Sequence, residues 1–164
     1  MTKVLAGHRA PDFALNGTNG RPFSLAEALR RGPVVATFFK ITCPVCQFTL
    51  PFLERLYKAY GDDRASFVGI SQDDARDTKE FCAEFGVTIP TLLDEDGYPV
   101  SNQYGLTNVP TVFLIAPDGK VQVSSVGFWK DDLEKISVEL GRYLRRTPVA
   151  VFLRDEVVPD YKPG

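Results

Sequence analysis

Two of the three cysteines in this 164-residue chain lie close enough together for redox chemistry. Cys43 and Cys46 are separated by two residues, Pro44 and Val45, whereas Cys82 is remote from both. A cysteine reacts as its thiolate, and the unpaired backbone N–H groups at the start of a helix favour that form. If a helix begins here, Cys43 can attack a disulfide, and Cys46, almost one turn further on, can resolve the mixed disulfide.

The same Cys-x-x-Cys spacing also occurs in zinc sites and in pairs of buried structural cysteines. A zinc site normally needs four ligands, and only Cys82 and His8 remain as further candidates, both in unrelated segments. A structural pair is less consistent with a position between a strand and a helix than with one inside an element. We therefore favour redox chemistry and expect neither a metal nor a cofactor.

The segments on either side of the pair predict the elements that position it. Val34 to Phe39 is a continuous apolar run with β-branched and aromatic residues, typical of a strand that is buried on both faces. From Pro44 to Tyr60 apolar residues recur at helical spacing, and Pro51 within this run predicts a kink. The strand thus leads to Cys43, and the pair opens the helix.

The rest of the chain alternates between strand and helix patterns. A turn-rich stretch between Phe13 and Phe23 predicts a β-hairpin, and Ser24 followed by Glu27 fits a helix capping box. The helices and strands predicted beyond the central helix are a strand at 66–71, a helix between Asp73-Asp74 and Gly86, a short strand at 91–93, a short helix at 98–104, an antiparallel pair at 111–116 and 121–126, and an amphipathic helix at 131–144. This alternation predicts an α/β domain.

Length and composition indicate one domain and no polyanionic partner. We expect a domain at residues 1–146 and a tail at 147–164 that packs on the domain or extends from it, with irregular structure at 158–164. A net charge of −2 gives no electrostatic indication that the chain binds nucleic acid or an anionic membrane. The segment from Met1 to Arg9 has no apolar stretch for a signal peptide, so a cytoplasmic location is expected if Met1 is the natural start.

At several motifs the chain resembles the thioredoxin superfamily, and more closely its redoxin branch of TlpA-like and AhpC/TSA-like proteins. The motifs are Ala10-Pro11-Asp12-Phe13, the segment from Phe38 to Cys46, Pro51, and the segment from Tyr104 to Thr111. The resemblance implies a thioredoxin-like three-layer sandwich, in which helices flank a central mixed β-sheet, with an N-terminal β-hairpin extension.

The resemblance also implies the activity and the site. It implies a thiol-disulfide oxidoreductase with Cys43 attacking and Cys46 resolving. It further implies a cis peptide bond at Val109-Pro110, beside the cysteines, with the preceding backbone binding the substrate chain. The predicted substrate-binding residues are Thr42, Pro44, Val109 and Pro110. In the similar Ile89-Pro90-Thr91, we expect Pro90 only to begin a strand.

The chain departs from the family at three positions near the pair. Thr42 stands where many thioredoxins have tryptophan, Thr37 where they have a buried carboxylate, and Thr49 where TlpA-like proteins often have glutamate. The usual proton-relay group is therefore absent. Lys40 either favours the Cys43 thiolate by its charge or is a solvated lysine. Elsewhere, we expect Trp129 to close the core, and Cys82 to be a small core residue.

Two rival functions remain beside disulfide reduction. A peroxiredoxin needs a Pro-xxx-Thr-xx-Cys motif and an arginine. If Cys46 is the peroxidatic residue, Phe39 and Cys43 stand at the proline and threonine positions; if Cys43 is, Ala36 and Lys40 stand there. Neither alignment supplies the motif. A non-catalytic redox-sensing domain would bind partners in the groove around Cys43 and Pro110. The expected partners of a reductase are a disulfide-bearing protein or small molecule and, as reductant, a thioredoxin-reductase-like system or a low-molecular-weight thiol.

Overall fold

The computed structural model describes residues 3–62 and 64–164. Met1, on which the expectation about the natural start depends, lies outside the described residues. In chain order, the elements within these ranges are β1 (Ala14–Asn16), β2 (Pro22–Ser24), α1 (Leu25–Arg31), β3 (Val34–Phe39), α2 (Pro44–Tyr60), β4 (Ser66–Ser71), α3 (Ala75–Phe85), β5 (Thr91–Leu93), α4 (Pro99–Gln103), β6 (Thr111–Ile115), β7 (Val121–Val126), β8 (Phe128–Trp129), α5 (Lys130–Leu144) and β9 (Tyr161–Lys162). Every helix among them is too short or too polar to span a bilayer.

Five strands form the central sheet in the order β5-β4-β3-β6-β7. β3 is parallel to β4 and β4 to β5, whereas β6 is antiparallel to β3 and β7 is antiparallel to β6. All six residues of β3 are buried, as expected for a continuous apolar run in the middle of a covered sheet. The predicted mixed sheet is confirmed.

The core consists of two apolar clusters, one on each face of the sheet. Successive side chains of a strand point to opposite faces, so the adjacent residues Phe38 and Phe39 enter different clusters. Phe39 packs in the cluster that contains Leu53 of α2 and Leu140 of α5. Phe38 packs in the cluster that contains Leu25 of α1. Helices thus cover both faces, and the predicted three-layer sandwich is confirmed.

The N-terminal hairpin and the first helix follow the local sequence signals. β1 and β2 pair antiparallel, so the predicted hairpin extension is present. The Ser24 side chain accepts a hydrogen bond from the Glu27 backbone N–H at 3.4 Å and caps α1, as the capping box predicts. α2 continues through Pro51, which removes one backbone donor from the helix.

The tail after residue 146 packs on the domain through specific contacts. The Val149 N–H donates to the Tyr60 hydroxyl at 2.6 Å, and Val151 is buried in the core cluster of α2 and α5. Both oxygens of the Glu156 carboxylate accept hydrogen bonds from the Arg55 guanidinium at 2.7 Å. The Arg55 guanidinium and a hydrogen bond from the Leu153 N–H hold the pKa of Glu156 at about 2, so this anchor persists as the pH falls below 4.5.

The prediction of irregular structure at 158–164 is wrong at β9. Tyr161 and Lys162 pair antiparallel with Trp129 and Phe128 of β8. The Lys130 N–H also donates to the Asp160 carbonyl oxygen at 2.9 Å. This short ladder depends on a partner more than thirty positions earlier, so nothing local to residues 158–164 could indicate it.

The expectation that Trp129 closes the core is also wrong. Trp129 is 43% exposed and stacks on Tyr161 at a ring-centroid distance of 4.2 Å, whereas its neighbour Phe128 is fully buried. Adjacent residues of a strand point to opposite faces, and only one face of β8 meets the core. Phe128 therefore takes the core position.

Candidate active site

The cysteine pair lies at the start of α2, directly after β3. Cys43 is the N-cap residue of α2, and Pro44 occupies the first turn, where its missing N–H has no helical partner to lose. The Cys46 N–H donates to the Cys43 sulfur at 3.1 Å. A helix-start donor is thus directed at Cys43 Sγ, where it can stabilise negative charge on sulfur during exchange.

The two cysteines differ in exposure and environment. Cys43 is half-buried, whereas Cys46 is fully buried behind it. Burial raises the pKa of the Cys46 thiol far above its usual range, and its hydrogen bond with Cys43 acts in the same direction. An external disulfide can therefore reach Cys43, and Cys46 is placed to attack only Cys43 Sγ, once that sulfur is bound to substrate in a mixed disulfide.

The loop before β6 faces the pair. The Val109–Pro110 peptide bond is cis, as predicted, and the Val109 carbonyl oxygen accepts a hydrogen bond from the Cys43 thiol at 3.4 Å. The Thr111 hydroxyl donates to the Asn108 carbonyl oxygen at 2.7 Å and holds the loop. Pro90 directly precedes β5, as expected for a proline that begins a strand.

A surface depression of about 360 Å³ opens beside Cys43. Its lining residues come from four distant parts of the chain, and they are Lys40, Cys43, Gln72, Leu106, Thr107, Asn108, Val109 and Gly164. Of the predicted substrate-binding residues, Val109 lines the depression, Thr42 and Pro44 lie on the exposed surface next to Cys43, and Pro110 is buried. Across residues 3–62 and 64–164, no three His, Cys, Asp or Glu side chains form a group that could hold a metal ion.

The turn that carries Lys40 to Thr42 is held by two side chains that sequence reasoning missed. Asp73 Oδ2 accepts from the Ile41 N–H at 2.9 Å, and Gln47 Nε2 donates to the Ile41 carbonyl oxygen at 2.9 Å. The sequence shows Asp73 only as part of an acidic helix start, because its contact partner lies 32 positions away. Lys40 Nζ lies 5.7 Å from the centre of the Tyr98 ring, at the edge of the depression.

Thr37 and Thr49, the two positions at which the resemblance would predict a carboxylate, provide no carboxylate for proton relay here. Thr37 and Thr49 are both buried, and the Thr49 hydroxyl donates to the Val45 carbonyl oxygen at 2.6 Å. The buried carboxylate of α2, Glu54, instead accepts from the backbone N–H groups of Thr88 and Ile89, in the loop before β5. Glu54 therefore joins α2 to that loop.

Iodoacetamide is expected to label Cys43 at least about tenfold faster than Cys46 in the folded protein, because it reacts with accessible thiolates. The pKa of Cys46 is raised by burial, so Cys46 stays a protonated thiol as the pH rises through 9.0, the ordinary value. Burial also raises the pKa of the half-buried Cys82. Peptide mass spectrometry will locate the adducts, with a chain unfolded in guanidinium chloride as the control in which all three label. Equal labelling of Cys43 and Cys46 in the folded chain contradicts the assignment.

The fold and the cysteine pair together define the class: the chain is an oxidoreductase with a thioredoxin-like fold. A model of the AhpC/TSA family matches residues 6–124, and the chain belongs to this family. The thiol-disulfide oxidoreductase ResA of Geobacillus thermodenitrificans (strain NG80-2) is 30% identical over 136 residues, which are 82% of this chain and 77% of that protein. ResA of Bacillus subtilis (strain 168) is 31% identical over 119 residues, 72% of this chain and 65% of that protein.

Solved structures agree with this assignment. A putative thiol:disulfide interchange protein DsbE from Chlorobium tepidum superposes with a TM-score of 0.71 at 29% identity, over 87% of this chain and 99% of that one. The peroxidoxin BcpB from Mycobacterium tuberculosis superposes with a TM-score of 0.68 at 27% identity, over 87% of this chain and 97% of that one. The chain is a thiol-disulfide oxidoreductase, and the neighbours include both exchange proteins and a peroxidoxin.

Proposed function

We propose that Cys43 and Cys46 cycle between dithiol and disulfide and reduce disulfides of proteins or small molecules. The observation that carries this proposal is the contrast within the pair. Cys43 is accessible to an external disulfide; its sulfur accepts a hydrogen bond from the Cys46 N–H, and its thiol donates one to the Val109 carbonyl oxygen. The Cys46 sulfur, by contrast, is fully buried directly behind it. This is the arrangement that a two-step exchange requires.

The exchange proceeds in two steps. In the first, the Cys43 thiolate attacks one sulfur of the substrate disulfide; a Cys43–substrate bond forms, the substrate S–S bond breaks, and the leaving sulfur takes a proton. In the second, Cys46 gives up its proton and attacks Cys43 Sγ, which forms the Cys43–Cys46 disulfide and releases the second substrate sulfur as a thiol. Two electrons and two protons pass from the dithiol to the substrate.

The cycle needs an external dithiol or two external thiols that reduce the Cys43–Cys46 disulfide again. A thioredoxin-reductase-like system or a low-molecular-weight thiol could provide them. A cytoplasmic location, expected from the sequence, belongs to the same proposal and is tested by fractionating cells that express the natural gene. In that compartment the pair would act as a reductant.

Peroxide reduction is the second candidate, favoured by the similarity to the peroxidoxin BcpB. An orienting threonine is missing in register with either cysteine, because Phe39 and Cys43, or Ala36 and Lys40, occupy the positions of the motif. The described residues that line the depression beside Cys43 also include no arginine. The thiolate can still react with peroxide, but without the groups that orient the O–O bond.

Hydrogen peroxide is expected to react at least about tenfold more slowly than the better of two disulfides, one a protein and one a small aromatic disulfide, because peroxide attack lacks orienting groups. The second-order rates are measured in one preparation with one reductant. Cys43→Ser is the control for background reduction. If peroxide is consumed much faster than either disulfide, the peroxidase function is the correct one.

A redox-sensing binding domain is separated from both enzymes by the same assay. A sensor consumes one equivalent of oxidant per chain and stops, whereas a catalyst continues for as long as the reductant lasts. Many turnovers per chain with added reductant are expected here.

A further inference from the structure

The segment Asp160–Gly164, which we name the strap, crosses the surface next to the active site. Its strand β9 pairs with β8, and Tyr161 stacks on Trp129 at a centroid distance of 4.2 Å. On its other side, Lys162 Nζ lies 4.6 Å from the centre of the Phe48 ring, in the second turn of α2. The strap is therefore held between β8 and the helix that carries the cysteines.

The strap crosses Gly127 at very short range. A Cβ atom on Gly127 would lie 2.6 Å from the Lys162 carbonyl oxygen and 3.0 Å from the Gly164 nitrogen. Gly127 also has a φ of +79°, which favours glycine at this position. The chain thus has a groove at Gly127 whose floor lacks a side chain, and this groove holds an extended backbone.

The strap ends against the carbonyl that Cys43 contacts. Asn108 Nδ2 donates to the Gly164 carbonyl oxygen at 3.2 Å, and a Cβ atom on Gly164 would lie 2.6 Å from the Val109 carbonyl oxygen. The same Val109 oxygen accepts from the Cys43 thiol at 3.4 Å. Gly164 of the strap and the reactive Cys43 sulfur therefore both lie next to the Val109 carbonyl group. Gly164 also forms one wall of the depression beside Cys43.

The strap is attached more weakly than the part of the tail before it. Four of its five residues are exposed, and Lys162 is only half-buried. The preceding part is anchored by the buried Val151 and by the Arg55–Glu156 ion pair. Between these parts lies the fully exposed Val157. Segments with few buried apolar contacts open at low free-energy cost, so the strap can detach while the rest of the tail stays in place.

We propose that the strap sets the substrate range of the pair: it leaves the depression open to small disulfides, and a polypeptide disulfide must displace it from the groove. The inference rests on the proposed function. An extended polypeptide that brings its sulfur to Cys43 along Asn108 and Val109 needs the groove that the strap occupies. A small disulfide enters from the depression and needs no strap movement.

The first test compares the full chain with a chain that ends at Pro159. Truncation is expected to raise kcat/KM for a disulfide-containing protein substrate such as insulin by at least about tenfold. The rate with a small aromatic disulfide should stay within about twofold. Equal changes for both substrates, or no change for either, overturn the proposal.

Gly164→Leu tests the proposal without truncation, because the added side chain would meet the Val109 carbonyl oxygen and disturb the end of the strap. It is expected to raise kcat/KM for the protein disulfide and not for the small one. Val157→Leu, at a fully exposed position, is its matched control.

The second test does not depend on turnover. In Cys46→Ser, Cys43 is converted chemically to a mixed disulfide with either a cysteine-containing peptide or 2-mercaptoethanol, and acrylamide quenching of Trp129, the single tryptophan, is measured. The peptide adduct should increase quenching to the level of Tyr161→Ala, in which the stack is lost, and the 2-mercaptoethanol adduct should not. Unchanged quenching in the peptide adduct overturns the strap proposal even if the chain reduces disulfides. Increased quenching in a chain without disulfide turnover shows that a peptide at Cys43 displaces the strap, but it overturns the proposed function and with it the role of the strap in substrate range.

Discussion

Cys46→Ser is expected to accumulate mixed disulfides between Cys43 and substrate, whereas Cys43→Ser accumulates none. Without the buried Cys46 thiol, the second step cannot occur and the Cys43–substrate bond persists. Cys43→Ser removes the reachable nucleophile, so turnover should fall by at least about 10³-fold. Non-reducing gels with mass spectrometry detect the adducts, and a coupled reductant assay measures turnover.

Cys82→Ser is the matched control for these variants. Cys82 lies in α3, half-buried and packed against the core, and has no part in the proposed exchange. Turnover of Cys82→Ser should remain within about twofold of the unchanged chain. Mixed disulfides that form equally well through Cys43 or Cys46 would show that the two roles are not distinct.

Phe128→Ala is expected to lower the free energy of unfolding by about 3–5 kcal/mol. Phe128 is fully buried, and its ring packs at centroid distances of 5.0 Å from Phe48, 5.9 Å from Phe52 and 6.1 Å from Phe152. Removing the Phe128 ring loses these apolar contacts and leaves a cavity between β8, α2 and the tail. Urea unfolding followed by circular dichroism measures the change.

Trp129→Ala is the matched control, since it removes the larger aromatic side chain from the adjacent position. Trp129 is exposed, stacks on Tyr161 and donates its indole N–H to the Val126 carbonyl oxygen at 3.0 Å, a hydrogen bond at the surface, so its loss should cost no more than about 1 kcal/mol. Circular dichroism is required because this variant has no tryptophan to follow. A larger loss at Trp129 than at Phe128 would mean that the core is closed by the tryptophan, as the sequence suggests.

The strands and helices around the cysteine pair were largely predictable because their signals are local. The apolar run of β3 and the helical spacing of α2 each report burial within a few residues. The capping residues Ser24 and Asp74 mark the starts of α1 and α3 by hydrogen bonds to residues three positions on. Such signals can be recognised in the sequence without knowing which elements pack against each other.

Parts of the candidate site were predictable for a different reason. Cys43 and Cys46 are neighbours in sequence, so the helix start alone places them together. The cis bond at Val109–Pro110 and its approach to Cys43 came from the resemblance of whole motifs, and no local pattern would have joined positions 66 residues apart. Asp73 was missed because its bond to Ile41 spans two strand ends.

The amino-acid sequence by itself indicated the α/β class, the order of the elements other than β8 and β9, and the thiol chemistry, because periodicity, caps and the Cys-x-x-Cys spacing act over one or two turns of chain. The tertiary structure alone decided which aromatic residue of β8 enters the core and what lies beside the reactive sulfur. Both outcomes depend on the path of the tail: Tyr161 gives Trp129 a partner at the surface, and Gly164 reaches Asn108 across 56 positions. Contacts at that separation depend on the packing of the whole domain, and they leave no periodic signal in the residues that make them.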